Sequence, residues 1–175
     1  MDYFALLIVF LIGILSKFAD LVADEGLKVK KSLAYITGMV YGVLIAYVLV
    51  NYPLLAPLGL AIVLAVLLTK KIDRKPHNVG IASMFLFLGI LGFPRVDVVL
   101  LAVFLIAGGL DEVGNDLADR GRIKGIAGRF FEFRMTLEIT AFLVSLLTGN
   151  CIIFLGMLGY DLGYVLTKKA GKKFI

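Results

Sequence analysis

The sequence predicts an all-α polytopic membrane protein with about seven transmembrane helices. Its composition, the spacing of its apolar runs and an internal repeat lead to this fold class. Hydrophobic residues make up 61% of the 175 residues, and the mean hydropathy is +0.99. A water-soluble domain of this length needs more polar residues to cover its surface. We therefore expect a single membrane domain over residues 1–175.

Apolar runs bounded by charged or turn residues are the candidate spans. They cover residues 3–19, 32–50, 53–68, 79–93, 98–110, 135–147 and 151–166. Several are shorter than the roughly 20 residues that a helix needs to cross a bilayer, so their polar ends must continue the helix or one segment is re-entrant. Gly38 and Gly42, like Gly159 and Gly163, have the GxxxG spacing that packs membrane helices closely.

Short segments of the first half recur in the same order in the second half. The three pairs are LLIVFLIG at 6–13 with LLAVFLIA at 100–107, LVADEG at 21–26 with DLADRG at 116–121, and LLTKK at 67–71 with VLTKK at 165–169. Ordered matches with a slowly growing offset are typical of a duplicated unit. We therefore predict two three-helix repeats, residues 3–72 and 97–170, joined by a linker helix at 77–95.

Basic residues cluster after the first, third, fifth and seventh runs, whereas the opposite side has only Arg95. The clusters are Lys28, Lys30 and Lys31; Lys70, Lys71, Arg74 and Lys75; Arg120, Arg122, Lys124 and Arg129; and Lys168, Lys169, Lys172 and Lys173. Because cytoplasmic loops are rich in Lys and Arg, we expect an outside N-terminus, a cytoplasmic C-terminus and parallel repeats. This 3+1+3 plan resembles that of sugar-transporting SWEET proteins, although a plan alone assigns no activity.

A dense set of polar residues follows the fifth run. If the fifth helix continues past Leu110, one of its faces carries Asp111, Glu112, Asn115, Asp116 and Asp119. The first repeat has a weaker acidic face that includes Asp20 and Asp24. Hard carboxylate oxygens are the ligands that Mg²⁺ and similar ions prefer. We therefore predict a divalent metal site, with Mg²⁺ as the expected ion, formed by Asp116, Asp119, Asp20 and Asp24.

Two further carboxylates, Glu138 and Asp161, lie well inside the sixth and seventh runs. Charge at that depth costs at least about 2.5 to 3.5 kcal/mol, so each group needs a partner or a function. The structural alternatives are an ion pair of Glu138 with Arg134 and a hydrogen bond from a tyrosine to Asp161. The functional interpretation predicts Asp111, Glu112, Glu138 and Asp161 as catalytic residues.

Arginines come directly after the acidic face. Arginine binds phosphate oxygens through paired N–H donors, and carboxylate-bound metal ions next to arginines are suited to diphosphate and phospholipid chemistry. The residues predicted to bind substrate are Asn115, Arg120, Arg129 and Arg134. His77 is the only histidine, so a His-rich metal centre is excluded, and we expect it at the membrane interface.

Residues 115–120, NDLADR, resemble the NDxxDR start of the first aspartate-rich motif in UbiA-type membrane prenyltransferases. The resemblance implies that Asp116 and Asp119 bind Mg²⁺ and a prenyl diphosphate. It covers six residues, and the motif's usual final aspartate falls at Ile123. The chain is also shorter than that family's nine-helix fold, and the acidic pair of the first repeat precedes the motif, whereas the family's second motif follows it.

These patterns favour a metal-dependent integral membrane enzyme, a transferase acting on a lipid phosphate or prenyl diphosphate at the cytoplasmic leaflet. The alternative is a small cation or proton-coupled transporter with an intramembrane acidic site, because parallel repeats are frequent in carriers. A scaffold with purely structural charges is the third class. The net charge of +5 suits anionic lipid better than nucleic acid, so we expect a membrane lipid and no nucleic acid as partner and leave a homo-oligomer open.

Cysteine accessibility tests the predicted orientation. In a Cys151→Ser background, Asp2→Cys and Arg95→Cys should react with a membrane-impermeant maleimide from outside the cell, and Lys172→Cys only from the cytoplasmic side. The reason is the asymmetry of the basic clusters. A carboxyl terminus that reacts from outside would overturn the seven-span count and make the repeats inverted.

Overall fold

The computed structural model describes residues 2–69 and 75–173, and within these ranges the chain is helical and contains no strand. The helices are α1 Tyr3–Ala23, α2 Ser32–Asn51, α3 Ala56–Leu68, α4 Lys75–Leu91, α5 Val98–Asp119, α6 Gly125–Glu132, α7 Met135–Thr148 and α8 Ile152–Gly171. The predicted all-α class is confirmed for the described residues. Lys70, Lys71 and Arg74 of the second basic cluster, and the last three residues of the first predicted repeat, lie outside them.

Each predicted apolar run coincides, to within a few residues, with a helix of its own. The expectation that the fifth helix continues past Leu110 is confirmed, because α5 ends at Asp119. Helix α6 is a short amphipathic addition that no apolar run predicts. It packs through Phe131 against α5, where Gly114 leaves room for the aromatic ring. A sharp corner at Arg134, whose φ of 52° is unusual for a residue with a side chain, then leads into α7.

Helices α1 and α5 begin and end in the same way. The Asp2 carboxylate accepts two backbone N–H groups of the first turn of α1, at 3.1 and 3.4 Å, and the Asp97 carboxylate does the same for α5 at 2.9 and 3.0 Å. After each helix the chain passes through a glycine with positive φ, Gly26 at 81° and Gly121 at 69°. Glycine adopts this conformation without strain, so it suits the end of a helix.

Six helices form a closed ring in the order α1, α2, α3, α5, α7 and α8, with α8 packing back against α1. Helix α4 lies outside the ring and packs extensively against α2. The core inside the ring is apolar and includes the buried side chains of Ile12, Phe104 and Ile153. The ring is therefore the scaffold that holds any site in the interior.

Glycines allow α2 and α4 to approach closely. A Cβ on Gly42 would overlap the backbone carbonyl oxygen of Gly80, and a Cβ on Gly38 would overlap that of Pro76. Both obstacles are backbone atoms, which cannot rotate away as the end of a side chain can. Helices α1 and α8 meet in the same manner, because a Cβ on Gly163 would overlap the carbonyl oxygen of Phe10.

The outer surface of the ring is strongly apolar. Leu147, Phe93 and Leu68 are 87%, 75% and 71% exposed, and many other large apolar side chains point outward with them. Helices α1, α2 and α5 are each long and apolar enough to cross a membrane, and α3 and α7 are shorter apolar helices. Soluble monomers rarely expose contiguous apolar surface on this scale, so the surface is suited to lipid.

The contact between α2 and α4 can be tested with a pair of glycine variants. Gly42→Ala should destabilise the protein by roughly 1 to 3 kcal/mol, the usual cost of overpacking, because its methyl group meets the backbone of Gly80. Gly89→Ala is the control, since a Cβ at that position of α4 meets nothing within 4 Å. Thermal unfolding in detergent measures both, and equal stability of the two variants would contradict the close packing.

Candidate functional site

A cavity of about 400 Å³ lies among the ring helices and α4, within the size range of small-molecule sites. One part of it is apolar and is lined by Val48 and Leu49 near the end of α2 and by Leu55 and Leu58 near the start of α3. The other part is polar. Its side chains come from the C-terminal halves of α1, α5 and α8, the start of α4, the middle of α2 and the corner before α7. The cavity is therefore amphipathic along the ring axis.

The centre of the polar part is a hydrogen-bonded line from α2 through α4 to α1. Tyr41 Oη lies 2.8 Å from His77 Nδ1, and His77 Nε2 lies 2.7 Å from Asp20 Oδ1. Because an ionised carboxylate only accepts hydrogen bonds, Nε2 carries the proton that it donates to Asp20. In neutral His77 the other nitrogen, Nδ1, then accepts the hydrogen bond of the Tyr41 hydroxyl.

The second oxygen of Asp20 is also occupied. Tyr164 donates its hydroxyl to Asp20 Oδ2 at 3.0 Å, and Lys17 Nζ lies 3.8 Å from the same oxygen. The side chain of Lys17 is only 4% exposed and forms an ion pair with Glu25. Both oxygens of Asp20 therefore belong to this hydrogen-bond network.

Two consecutive acidic residues of α5 hold the corner before α7. The buried Asp111 carboxylate accepts the backbone N–H of Thr136 at 3.1 Å and that of Leu137 at 2.7 Å, so it caps α7 from a neighbouring helix. The Glu112 carboxylate pairs with Arg134 at 2.9 Å. Asp111, predicted as catalytic, thus has a structural contact, whereas Glu112 lines the cavity.

Arg134 is the cationic residue at the wall of the cavity. Its side chain is 39% exposed, against 6% for its partner Glu112, and both line the cavity together with Asn115. The sequence alone leaves an ion pair between Arg134 and Glu138 as the structural alternative. In the structure Arg134 pairs with Glu112 instead. Of the four predicted substrate-binding residues, Asn115 and Arg134 line the cavity, and Arg120 is not among its lining residues.

Glu138 of α7 and Asp161 of α8 lie close enough to interact electrostatically. Neither residue is among those that line the cavity. The structure thus brings these two predicted catalytic residues together, but beside the cavity.

The remaining predicted ligands lie at the ends of α1 and α5. Asp116 forms an ion pair with Arg120 at 3.1 Å, with 41% and 64% of the side chains exposed, while Asp24 and Asp119 are exposed, as is Arg129 in α6. Within residues 2–69 and 75–173, no three His, Cys, Asp or Glu side chains form a group that could hold a metal ion.

Sequence reasoning did not find the hydrogen-bonded line itself. His77, expected at the interface, lines the cavity, and the tyrosines of α2 and α8 join it there. Tyr160, one turn before Tyr164, donates its hydroxyl to Ser16 at 3.2 Å. The available signal was the presence of tyrosines at positions 41, 160 and 164 within otherwise apolar runs, since a buried phenol needs a partner.

The role of Asp111 can be tested against that of Asp116. Asp111→Ala removes two buried hydrogen bonds from the start of α7, so it should destabilise the protein by about 2 kcal/mol or more. Asp116→Ala removes only an exposed ion pair and should change stability by less than about 0.5 kcal/mol. Thermal unfolding of the purified variants measures the difference. A stable Asp111→Ala protein would mean that the cap is dispensable.

Comparison with known proteins gives no family for this chain: no protein-family model matches it, and neither a curated protein nor a solved structure matches it significantly.

Proposed function

We propose that the protein is an integral membrane enzyme that binds a lipid phosphate or prenyl diphosphate in the amphipathic cavity and acts on it at the cytoplasmic leaflet. The observation that carries this proposal is the division of one cavity into an apolar part and a polar part. A small hydrated cation gains nothing from an apolar chamber. A lipid needs both parts, because its chain and its headgroup have opposite solvation requirements.

The dimensions of the cavity fit a hydrocarbon chain. Its lining on α1 runs from Val9 to Asp20, which corresponds to about 16 Å at 1.5 Å per residue. The apolar part is lined by Leu55, directly before α3, and by Met157 of α8, among others. A chain that enters from the lipid side therefore finds apolar walls along most of this length.

Arg134 is the group best suited to hold the phosphate. A guanidinium has five N–H donors in a planar fork, which is more than the pair with Glu112 uses. The Arg134 side chain is partly open to the cavity, and Asn115 on α5 lies in the same wall. Phosphate oxygens accept such donors in bidentate geometry.

The proposal includes Mg²⁺, which would bind together with the substrate. Proteins often bind Mg²⁺ through one or two carboxylates and leave the other positions to substrate phosphates and water, so a preformed group of three acidic residues is not required. Asp116 and Asp119 follow Glu112 at i+4 and i+7 on the same face of α5. They are the residues that we propose to hold the ion when a diphosphate brings it.

The proposed orientation has seven crossing helices, with α6 at the interface. Helices α1, α3, α5 and α8 would then end on the cytoplasmic side, where the basic clusters follow them. The polar part of the cavity belongs to this side, because Asp20 lies near the end of α1 and His77 near the start of α4. A headgroup bound there would face the cytoplasmic leaflet.

Contacts within the ring support the proposed duplication. If α1, α2 and α3 are exchanged with α5, α7 and α8, the contacts α1–α2, α2–α3 and α1–α8 become α5–α7, α7–α8 and α5–α3. All six contacts are present in the ring. The Asp caps and the positive-φ glycines of α1 and α5 correspond under the same exchange. Helix α4 has no counterpart, as expected for a linker between the repeats proposed at 3–72 and 97–170.

A proton-coupled or cation-coupled carrier is the second candidate. The observation in its favour is the proximity of Glu138 and Asp161, since neighbouring carboxylates repel each other and a shared proton or a bound cation would relieve that repulsion. In that case the cavity would hold the cargo and the carboxyl pair would couple its movement to an ion.

Binding of geranylgeranyl diphosphate to the protein in nanodiscs tests the enzyme proposal. Wild-type protein should bind it more tightly with Mg²⁺ than without, and geranylgeraniol, which lacks the diphosphate, should bind weakly in both conditions. Arg134→Lys should weaken diphosphate binding by about tenfold, equivalent to 1.4 kcal/mol, because lysine cannot form the bidentate contact. Arg95→Lys is the control and should bind as wild type, because Arg95 is exposed in the loop between α4 and α5 and does not line the cavity.

The metal is tested separately through Asp116→Asn and Asp119→Asn, which should abolish the Mg²⁺-dependent gain and leave metal-free binding unchanged. An absence of diphosphate binding by the wild-type protein in both conditions, together with ion-dependent uptake into proteoliposomes, would eliminate the enzyme proposal in favour of the carrier.

A further inference from the structure

We propose that Tyr41, His77 and Asp20 form a catalytic triad in which the Tyr41 hydroxyl is the nucleophile that attacks phosphorus. The proposal rests on the proposed function for its substrate class and goes beyond it, because it names the reaction as phosphoryl transfer through a tyrosine. The Tyr41 phenol is the reacting group, His77 is the base behind it, and the Asp20 carboxylate positions the imidazole.

The hydrogen bonds give each member of the triad one role. Asp20 accepts from His77 Nε2 at 2.7 Å, which fixes the tautomer, and this leaves His77 Nδ1 to accept from Tyr41 Oη at 2.8 Å. Serine hydrolases orient their catalytic histidine in the same way, with a carboxylate, an imidazole and a hydroxyl in line. All three side chains line the cavity, so a bound headgroup can reach the phenol.

The close contact between α2 and α4 sets the position of the phenol. Gly80 lies under the Tyr41 ring, and a Cβ at position 80 would come within 2.6 Å of its hydroxyl oxygen. The next residue of α2, Gly42, has its backbone against that of Gly80. The glycines therefore let the Tyr41 hydroxyl meet an imidazole on the neighbouring helix, which ordinary helix packing would keep farther away.

Charged and polar groups around the triad favour the ion pair that forms during attack. Asp20 faces the imidazole, and Lys17 and Tyr164 contact the same carboxylate. Arg134 lies in the wall of the same cavity. The imidazolium that results from proton transfer is thus paired with Asp20, and the negative charge on the phosphate has Arg134 as its partner.

The chemical step balances without another reactant. In the first half, a bond forms between Tyr41 Oη and phosphorus, the bond from phosphorus to the leaving oxygen breaks, and the phenolic proton passes to His77 Nδ1 and then to the leaving oxygen. In the second half, the hydroxyl of an acceptor alcohol or water attacks phosphorus, its proton passes through His77, and Tyr41 leaves as a phenol. His77 and Asp20 end as they began.

A fluorophosphonate with an alkyl tail tests the nucleophile directly. Methyl dodecylfluorophosphonate should modify Tyr41 of the wild-type protein in nanodiscs, with fluoride as the leaving group, and mass spectrometry locates the adduct. Tyr160 is the matched internal control, because it lines the same cavity and donates only to Ser16. Tyr41 should react roughly 10²-fold faster than Tyr160, the range of general-base assistance.

His77→Gln should lower the rate at Tyr41 to that of Tyr160, since glutamine can keep a hydrogen bond but cannot take the proton. Tyr160→Phe should leave the rate at Tyr41 unchanged, which shows that the reagent still enters the cavity. If His77→Gln fails to fold, the ratio of the labelling rates of Tyr41 and Tyr160 in the wild-type protein is sufficient to test the triad. Equal labelling of Tyr41 and Tyr160 would overturn the triad.

The outcome also separates this inference from the proposed function. Rapid labelling of Tyr41 in a protein that does not bind geranylgeranyl diphosphate would keep the triad and reject the proposed substrate class. Binding of the diphosphate without preferential labelling of Tyr41 would keep the lipid site and reject the triad.

Discussion

Charge buried among apolar helices is the constraint on which this structure depends. An unpartnered ion inside such a bundle is costly, and the described residues contain no buried side-chain N or O atom without a hydrogen-bond partner. Lys17 is neutralised by Glu25, and Glu112 by Arg134. The first pair joins α1 to the chain directly after it, whereas Glu112 and Arg134 belong to different elements. Satisfying the charge of Glu112 therefore also fixes how α5 meets the corner before α7, so this part of the cavity wall and the packing of the bundle have the same origin.

Sequence reasoning reached the helices more easily than the site. Apolar runs bounded by charge locate helices, because lipid and helix geometry both demand long apolar segments, and the continuation of α5 followed from its acidic face. Helix α6 was not predicted, because eight amphipathic residues form no long apolar run. The partners of Asp111 were not predicted for another reason: they are backbone N–H groups of α7, which carry no signature in the sequence.

The acidic residues show the same limit. Spacing placed Asp111, Glu112 and Asn115 on one face of α5, but spacing does not tell which of them faces the cavity and which faces the corner before α7. Asp20 is predicted as a metal ligand from its type and position, and the structure places His77 and Tyr164 next to it. Those neighbours come from helices far away in sequence, so only the fold reveals them.

The proposed duplication would give a physical reason for the asymmetry of the cavity. Lys17 of α1 and Glu112 of α5 occupy corresponding positions in the proposed repeats, and both are buried. Two identical copies would bring two like charges to the same interior, which is unfavourable. Under this proposal, divergence to one cation and one anion would remove the repulsion and let each copy acquire its own partners. In the structure, the first half of the chain supplies Asp20 to the line with His77, and the second half pairs Glu112 with Arg134, so the two halves contribute different chemistry to one cavity.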